Sequence, residues 1–192
     1  MNRDQIMDTY QQQLDRIQGN RAYSDRAKQI LAAKAYTAAT NALSKLRDDE
    51  VAAIDDRREF LYRRMFGRHD SADAQTVIAR RDANDRAAKL DNPRVAEQQL
   101  RDALRQGDTT MAQAIAEHAA SMQWGDVLGA YGDTRPGFRE VAEEYRDLTA
   151  VRSSDQWSFM HTAQYIAPPP SNLGTMSEAQ IAGLAAEDME AA

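Results

Sequence analysis

The sequence predicts an all-α fold: a long N-terminal amphipathic helix or helical hairpin, a small helical bundle, and a tethered C-terminal helix. Three observations predict it. Alanine fills 34 of 192 positions while glycine fills nine and proline five, so intrinsic propensity favours helix throughout. Apolar residues recur at spacings of three, four and seven, which places them on one helical stripe. Ser or Thr followed three residues later by Gln recurs at the starts of apolar stretches, the pattern of a capping box.

The elements follow in order. Residues 3–66 contain no proline and one glycine, Gly19. Ile6, Tyr10, Leu14 and Ile17 form a first stripe. Tyr36, Leu43, Leu46, Ile54, Leu61 and Met65 form a second, narrow enough to be a coiled-coil seam. Gly67 suits a C′ stop. Unbroken, this helix would run about 95 Å at 1.5 Å per residue and would need a partner. The alternative is a break at Gly19–Asn20 with Ser24 capping a second helix. In either case the second stripe is assigned to self-association, giving a homo-oligomer.

Residues 68–71 (RHDS) read as a turn, with Ser71 as N-cap of a helix to Leu90 anchored by Val77, Ile78 and Leu90. Asn92-Pro93 opens a helix carrying Val95, Leu100 and Leu104, which stops at Gly107. Thr110 and Gln113 form a capping box for a helix with Met111, Ile115, Met122 and Trp124. The glycines of GDVLGAYGDTRPG read as a loop. Thr134 and Pro136 open a helix with Phe138, Val141, Tyr145 and Leu148. Ser153 and Gln156 form a second capping box, before Trp157, Phe159, Met160 and Tyr165. Most large apolar bulk lies in 111–166, which places the compact core there. Pro168, Pro169 and Pro170 make a stiff spacer. Ser177 and Gln180 form a third capping box for a short terminal helix whose Ile181, Leu184 and Met189 are assigned to docking on a partner. The expected organisation is therefore a helical arm at 1–67, a bundle at 68–166, a Pro-rich linker at 167–176 and a C-terminal helix at 177–192.

The chemistry is sparse. The chain has no cysteine, which removes disulfides and thiol catalysis. No stretch is long and apolar enough for a membrane span, and the N-terminus lacks an apolar secretory core. His69, His118 and His161 are far apart and match no metal-ligand spacing. His118 reads as a half-buried helix residue and His161 as a packed one. No nucleophile elbow, phosphate loop or dinucleotide fingerprint is present. The carboxylates Asp48-Asp49-Glu50 and Asp55-Asp56 diverge on a helix and read as a solvated face. No catalytic, cofactor-binding or metal residue is assigned, and the chain is expected not to be an enzyme.

Net charge is −6. Residues 107–166 hold four basic and nine acidic side chains, and 167–192 hold none and four. The arginine clusters 57–58, 63–64 and 80–81 are interleaved with acids, so nucleic acid is not the expected partner. The stretch DALRQGDTTMAQAIAEHAASMQWGDVLGAY resembles one tetratricopeptide-type helical hairpin, without the further copies an array needs.

The long charged helix, the absence of cysteine and of active-site motifs, and the short tethered helix together resemble the small helical head-assembly proteins of tailed bacteriophages, of the scaffold or virion-associated kind. The resemblance implies a structural protein of the host cytoplasm or virion whose long helix self-associates and whose terminal helix docks on shell protein. Scaffold docking segments are often basic, and this one is acidic. A second expectation is a helical adaptor whose groove is lined by Trp124, Tyr131 and Trp157.

Overall fold

The computed structural model describes residues 1–67, 73–133 and 135–188. Among these, every regular element is helical: α1 Arg3–Gly19, α2 Asp25–Phe66, α3 Ala74–Ala87, α4 Pro93–Gln106, α5 Thr109–Ser121, α6 Gly125–Gly132, α7 Phe138–Arg152, α8 Asp155–Gln164, a 3-10 turn at Ser171–Leu173, and α9 Glu178–Ala186. The chain divides into two compact units. The first joins Met1–Ala53 to Ser154–Ala192, and the second is Ile54–Ser153. This differs from the arm, bundle and tail expected from the sequence. The division falls inside α2 and between α7 and α8, because the last turns of α2 supply core to the second unit and α8 closes on the first.

In the first unit, α1 and α2 form a helical hairpin. The chain breaks after Gly19, where the Asn20 side chain accepts from the Ala22 amide at 2.9 Å. Ser24 Oγ then caps α2 by accepting from the Ala27 amide at 3.1 Å. At 42 residues, α2 is about 63 Å long rather than 95 Å. Ile6, Tyr10 and Ile17 pack on Ala35, Ala39, Leu43 and Ala167, with Tyr36 and Leu46 partly buried alongside. A separate cluster joins Ile30, Ala32 and Ala33 of α2 to Leu173, Ile181 and Leu184. The C-terminal segment thus returns to α2 of its own chain. Polar contacts fix its path: Tyr10 Oη donates to the Pro168 carbonyl at 2.9 Å, and Arg26 grips both carboxylate oxygens of Glu187 at 2.5 and 2.6 Å. Burial, with Tyr36 close by, pushes the Tyr10 hydroxyl up to about 12. The Ser177–Gln180 capping box forms as its sequence predicts.

The second unit has one contiguous core, which includes Leu61, Phe66, Leu100, Ile115, Val127 and Phe138. Its central helix is α5, where Met111, Ile115 and five alanines are all buried, as a helix packed on most sides requires. Phe66 stands 5.0 Å from Tyr62, 6.1 Å from Tyr131 and 6.2 Å from Phe138 between ring centroids. Gly132 is fixed by this cluster, because a Cβ there would lie 2.6 Å from Phe138 Cδ1.

Several local expectations change. Asp108, not Thr110, caps α5: the left-handed turn at Gly107 leaves Asp108 just ahead of the helix, and its side chain accepts from the Met111 amide at 2.9 Å. Gln113 instead donates to the Phe66 carbonyl and to Glu117. Ser154, not Ser153, caps α8. The glycine-rich stretch Gly125–Gly132 is a helix, α6, because burial of Val127, Leu128 and Tyr131 outweighs a cost of ~1 kcal/mol per glycine. Val77, Ile78 and Val95 are exposed, and the anchors are Ala83, Ala87 and Leu90 around α3 and Ala96, Leu100 and Ala103 in α4. Small residues face inward there, so the helices can approach closely. The expected cap at Ser71 and the helix opening at Thr134 lie outside the described residues. Asp73 caps α3, and Gly137 in a left-handed conformation precedes α7.

Candidate interaction surfaces

The stripe assigned to self-association is used inside the chain. Tyr36, Leu43 and Leu46 belong to the first unit's core, and Leu61 and Met65 to the second's. Ile54 is half-buried. Of the residues assigned to partner docking, Ile181 and Leu184 are buried against α2, where Ala32 and Ala33 give them room. Met189 lies outside the described residues. Of the residues expected to line an adaptor groove, Tyr131 is buried in the second unit's core, Trp124 packs edge-on to His118 at 5.3 Å, and Trp157 belongs to the first unit. His118 Nε2 sits 2.9 Å from the Leu90 carbonyl, a structural contact for a half-buried ring.

The unexpected feature is α8. Trp157, His161 and Tyr165, spaced by four, share one side, and the last two reach Glu50 of α2. Trp157 stacks on His161 at 4.5 Å with an interplanar angle of 15°. His161 Nε2 lies 3.0 Å from Glu50 Oε2, and Tyr165 Oη donates to the same oxygen at 2.6 Å. Arg3 Nε adds a bond to the Gln164 carbonyl at 2.5 Å, satisfying an orphan acceptor at the helix end. The Tyr165 bond, followed by that from His161, holds the Glu50 carboxyl below its ordinary range. The same bond pushes the Tyr165 hydroxyl upward.

No residue of α8 is buried. Its large apolar side chains face outward instead: Phe159 is 71% exposed and Met160 53%, with Ile166 just beyond the helix at 64%. The helix turns an aromatic side, Trp157, His161 and Tyr165, toward its own unit and leaves a second large apolar side in solvent, where an ordinary surface helix shows a polar one. The sequence placed Phe159 and Met160 in the core on hydrophobicity alone. The spacing of Trp157, His161 and Tyr165 is the signal that could have reversed this, since two large faces compete on one short helix.

A shallow groove along α4 carries Arg94, Arg101 and Arg105, but Arg101 is paired with Glu97 and Arg105 with Asp102. In the second unit, Asp55 is shared by Arg58 and Arg152 at 3.1 and 3.2 Å, and Arg57 grips Glu144. Arg57 and Arg58 are thus paired, and Glu59 pairs Arg63 at 2.7 Å, so three arginines of the 57–58 and 63–64 clusters are committed to carboxylates. Among the described residues, no group of three His, Asp or Glu is placed to hold a metal ion, and no helix is long and apolar enough to cross a membrane.

Compared with known proteins, the chain matches no family model, no curated protein and no solved structure.

Proposed function

We propose that this chain is a non-enzymatic structural or assembly protein that joins to further copies of itself through helix–helix contacts, with the outward face of α8 as the contact. The single observation that carries this reading is the second, exposed apolar face of α8. Exposing Phe159, Met160 and Ile166 together forfeits burial of ~1.5–3 kcal/mol each, which a second helix would recover. That face also carries Ser158, Thr162 and Ala163, and its one charged residue is Asp155 in the first turn. An antiparallel copy of α8 sets the two Asp155 carboxylates at opposite ends of the contact, so they do not oppose each other.

Three side chains fall well short of the ~1,600 Å² that a standard interface buries, so one such contact is weak. A two-fold contact closes on a pair, so it becomes strong only where another contact already arrays many copies. This suits a component of a larger assembly, and the layout that resembles bacteriophage head proteins points to a shell or scaffold in the host cell or virion.

Light scattering coupled to size exclusion over a concentration series tests the reading. The intact chain should associate as concentration rises, and more so in added salt, which screens repulsion between copies of net charge −6. Phe159→Ser with Met160→Ser should abolish association while leaving the helical spectrum unchanged, because both residues are exposed. A monomer at every concentration, or unchanged oligomers in the double variant, sinks the proposal.

A further inference from the structure

We propose that the groove between α1 and α2 binds an acidic amphipathic helix from a partner protein. This is independent of the α8 contact. The groove has a volume of about 380 Å³. Its floor is Ile17, Leu31, Ala35 and Ala38, and its rim carries Arg16 and Lys34. No carboxylate lines it.

The groove sets two uncommitted cations beside apolar side chains. Arg16 and Lys34 make no ion pair or side-chain hydrogen bond among the described residues. Neighbouring cations are committed: Arg26 to Glu187, Lys28 to the Gln18 carbonyl, Lys45 to Asp49 and Arg47 to Asp48. The unit as a whole holds eight basic and twelve acidic side chains, 8 − 12 = −4, so the rim is a local reversal of sign. Charge of one sign above an apolar floor selects a ligand with the opposite sign beside an apolar face.

The floor narrows the choice further. Ala35 and Ala38 are small, so a helix backbone can come close and insert Leu- or Met-sized side chains. A phosphate backbone gains nothing from such a floor and needs a longer run of cations than two. The chain's own acidic α9 is already committed, since Ile181 and Leu184 are buried against Ile30, Ala32 and Ala33.

Fluorescence anisotropy on the full chain tests the proposal. The probe is a labelled helix-forming peptide with Leu and Ala on one face and Glu on the other. Its counterpart carries Lys in place of Glu. The Glu peptide should bind saturably and weaken with salt, and the Lys peptide should not bind. Arg16→Glu with Lys34→Glu should cost the Glu peptide about tenfold in affinity and admit the Lys peptide. Ala38→Glu, which places a charge on the exposed part of the floor, should weaken the Glu peptide by itself. Circular dichroism should show all variants folded. The proposal is overturned by any of four results: no saturable binding of the Glu peptide, equal binding of both peptides, unchanged affinity in the folded double variant, or efficient competition by a single-stranded oligonucleotide.

Discussion

The two units solve the same problem, packing alanine-rich helices, in different ways. Residues 54–153 form one continuous core with an aromatic centre at Phe66, Tyr131 and Phe138. Residues 1–53 with 154–188 have two smaller clusters, one built on α1 and the other on the C-terminal segment. The first unit also holds both buried side-chain atoms that lack a hydrogen-bond partner among the described residues, Thr40 Oγ1 and Asn172 Oδ1. Each such atom costs ~1–3 kcal/mol. The second unit is contiguous in sequence, whereas the first must bring its two parts together across the 100 residues of Ile54–Ser153. Closing that loop costs entropy before any contact forms. The comparison teaches that hydrophobic content does not locate the firmer unit. Contiguity and polar satisfaction do.

The largest expected effect breaks this comparison if it fails. Leu100→Ala and Leu184→Ala both remove a buried leucine, each at ~2–5 kcal/mol. Native-state hydrogen exchange should show their effects in different places. Leu100→Ala should lower protection through 54–153. Leu184→Ala should release α9 and the first unit while α4 to α7 stay protected. Equal loss across both units under either substitution would mean that the chain is a single cooperative block. Gly132→Ala comes next. The added methyl would meet the Phe138 ring at 2.6 Å, and denaturant unfolding should show a loss of ~1–3 kcal/mol confined to the second unit.

The smallest effect concerns acid. Glu50 titrates below its ordinary value of 4.5 because Tyr165 and His161 bond its carboxylate. A carboxyl depressed in the folded state contributes stability that is complete above its ordinary pKa and fades as acid protonates it. Glu50→Gln should therefore melt lower than the unaltered chain at neutral pH, and the gap should close as pH falls well below 4.5. Because Glu50 is exposed, the shift is small. A gap that persists unchanged in acid would show that the Glu50 charge contributes nothing.

Much of the helical order was legible because each signal was local. The break at Gly19–Asn20, the Ser24 cap, the Gly67 and Gly107 stops, the Asn92-Pro93 start and the Ser177 capping box all follow from residues a few positions apart. What was not legible was which side of each helix faces inward. Tyr36, Leu43 and Leu61 formed a clear stripe, but periodicity cannot say whether the covering helix belongs to the same chain or another. Ile78 and Val95 looked like anchors because hydrophobicity ranks them above alanine. Close helix packing instead turned Ala83, Ala87 and Ala96 inward. On α8 the same ranking put Phe159 inside, yet a hydrogen-bond clamp 111 residues apart in sequence, Glu50 with His161, turned it out. Such long-range polar pairings leave no local trace.

The return of the C-terminal segment to α2 also sets an order of events during synthesis. A ribosome delivers residues 1–53 first, but Ile30, Ala32 and Ala33, with Leu14 of α1 beside them, lack most of their cover until Leu173, Ile181 and Leu184 are made. The second unit, complete once Ser153 has emerged, can fold while the first still waits. For the time it takes to translate more than a hundred residues, the nascent chain carries an alanine-rich helix covered by α1 alone. That interval is the protein's most vulnerable one, when a chaperone or a neighbouring nascent chain has its best access to α2.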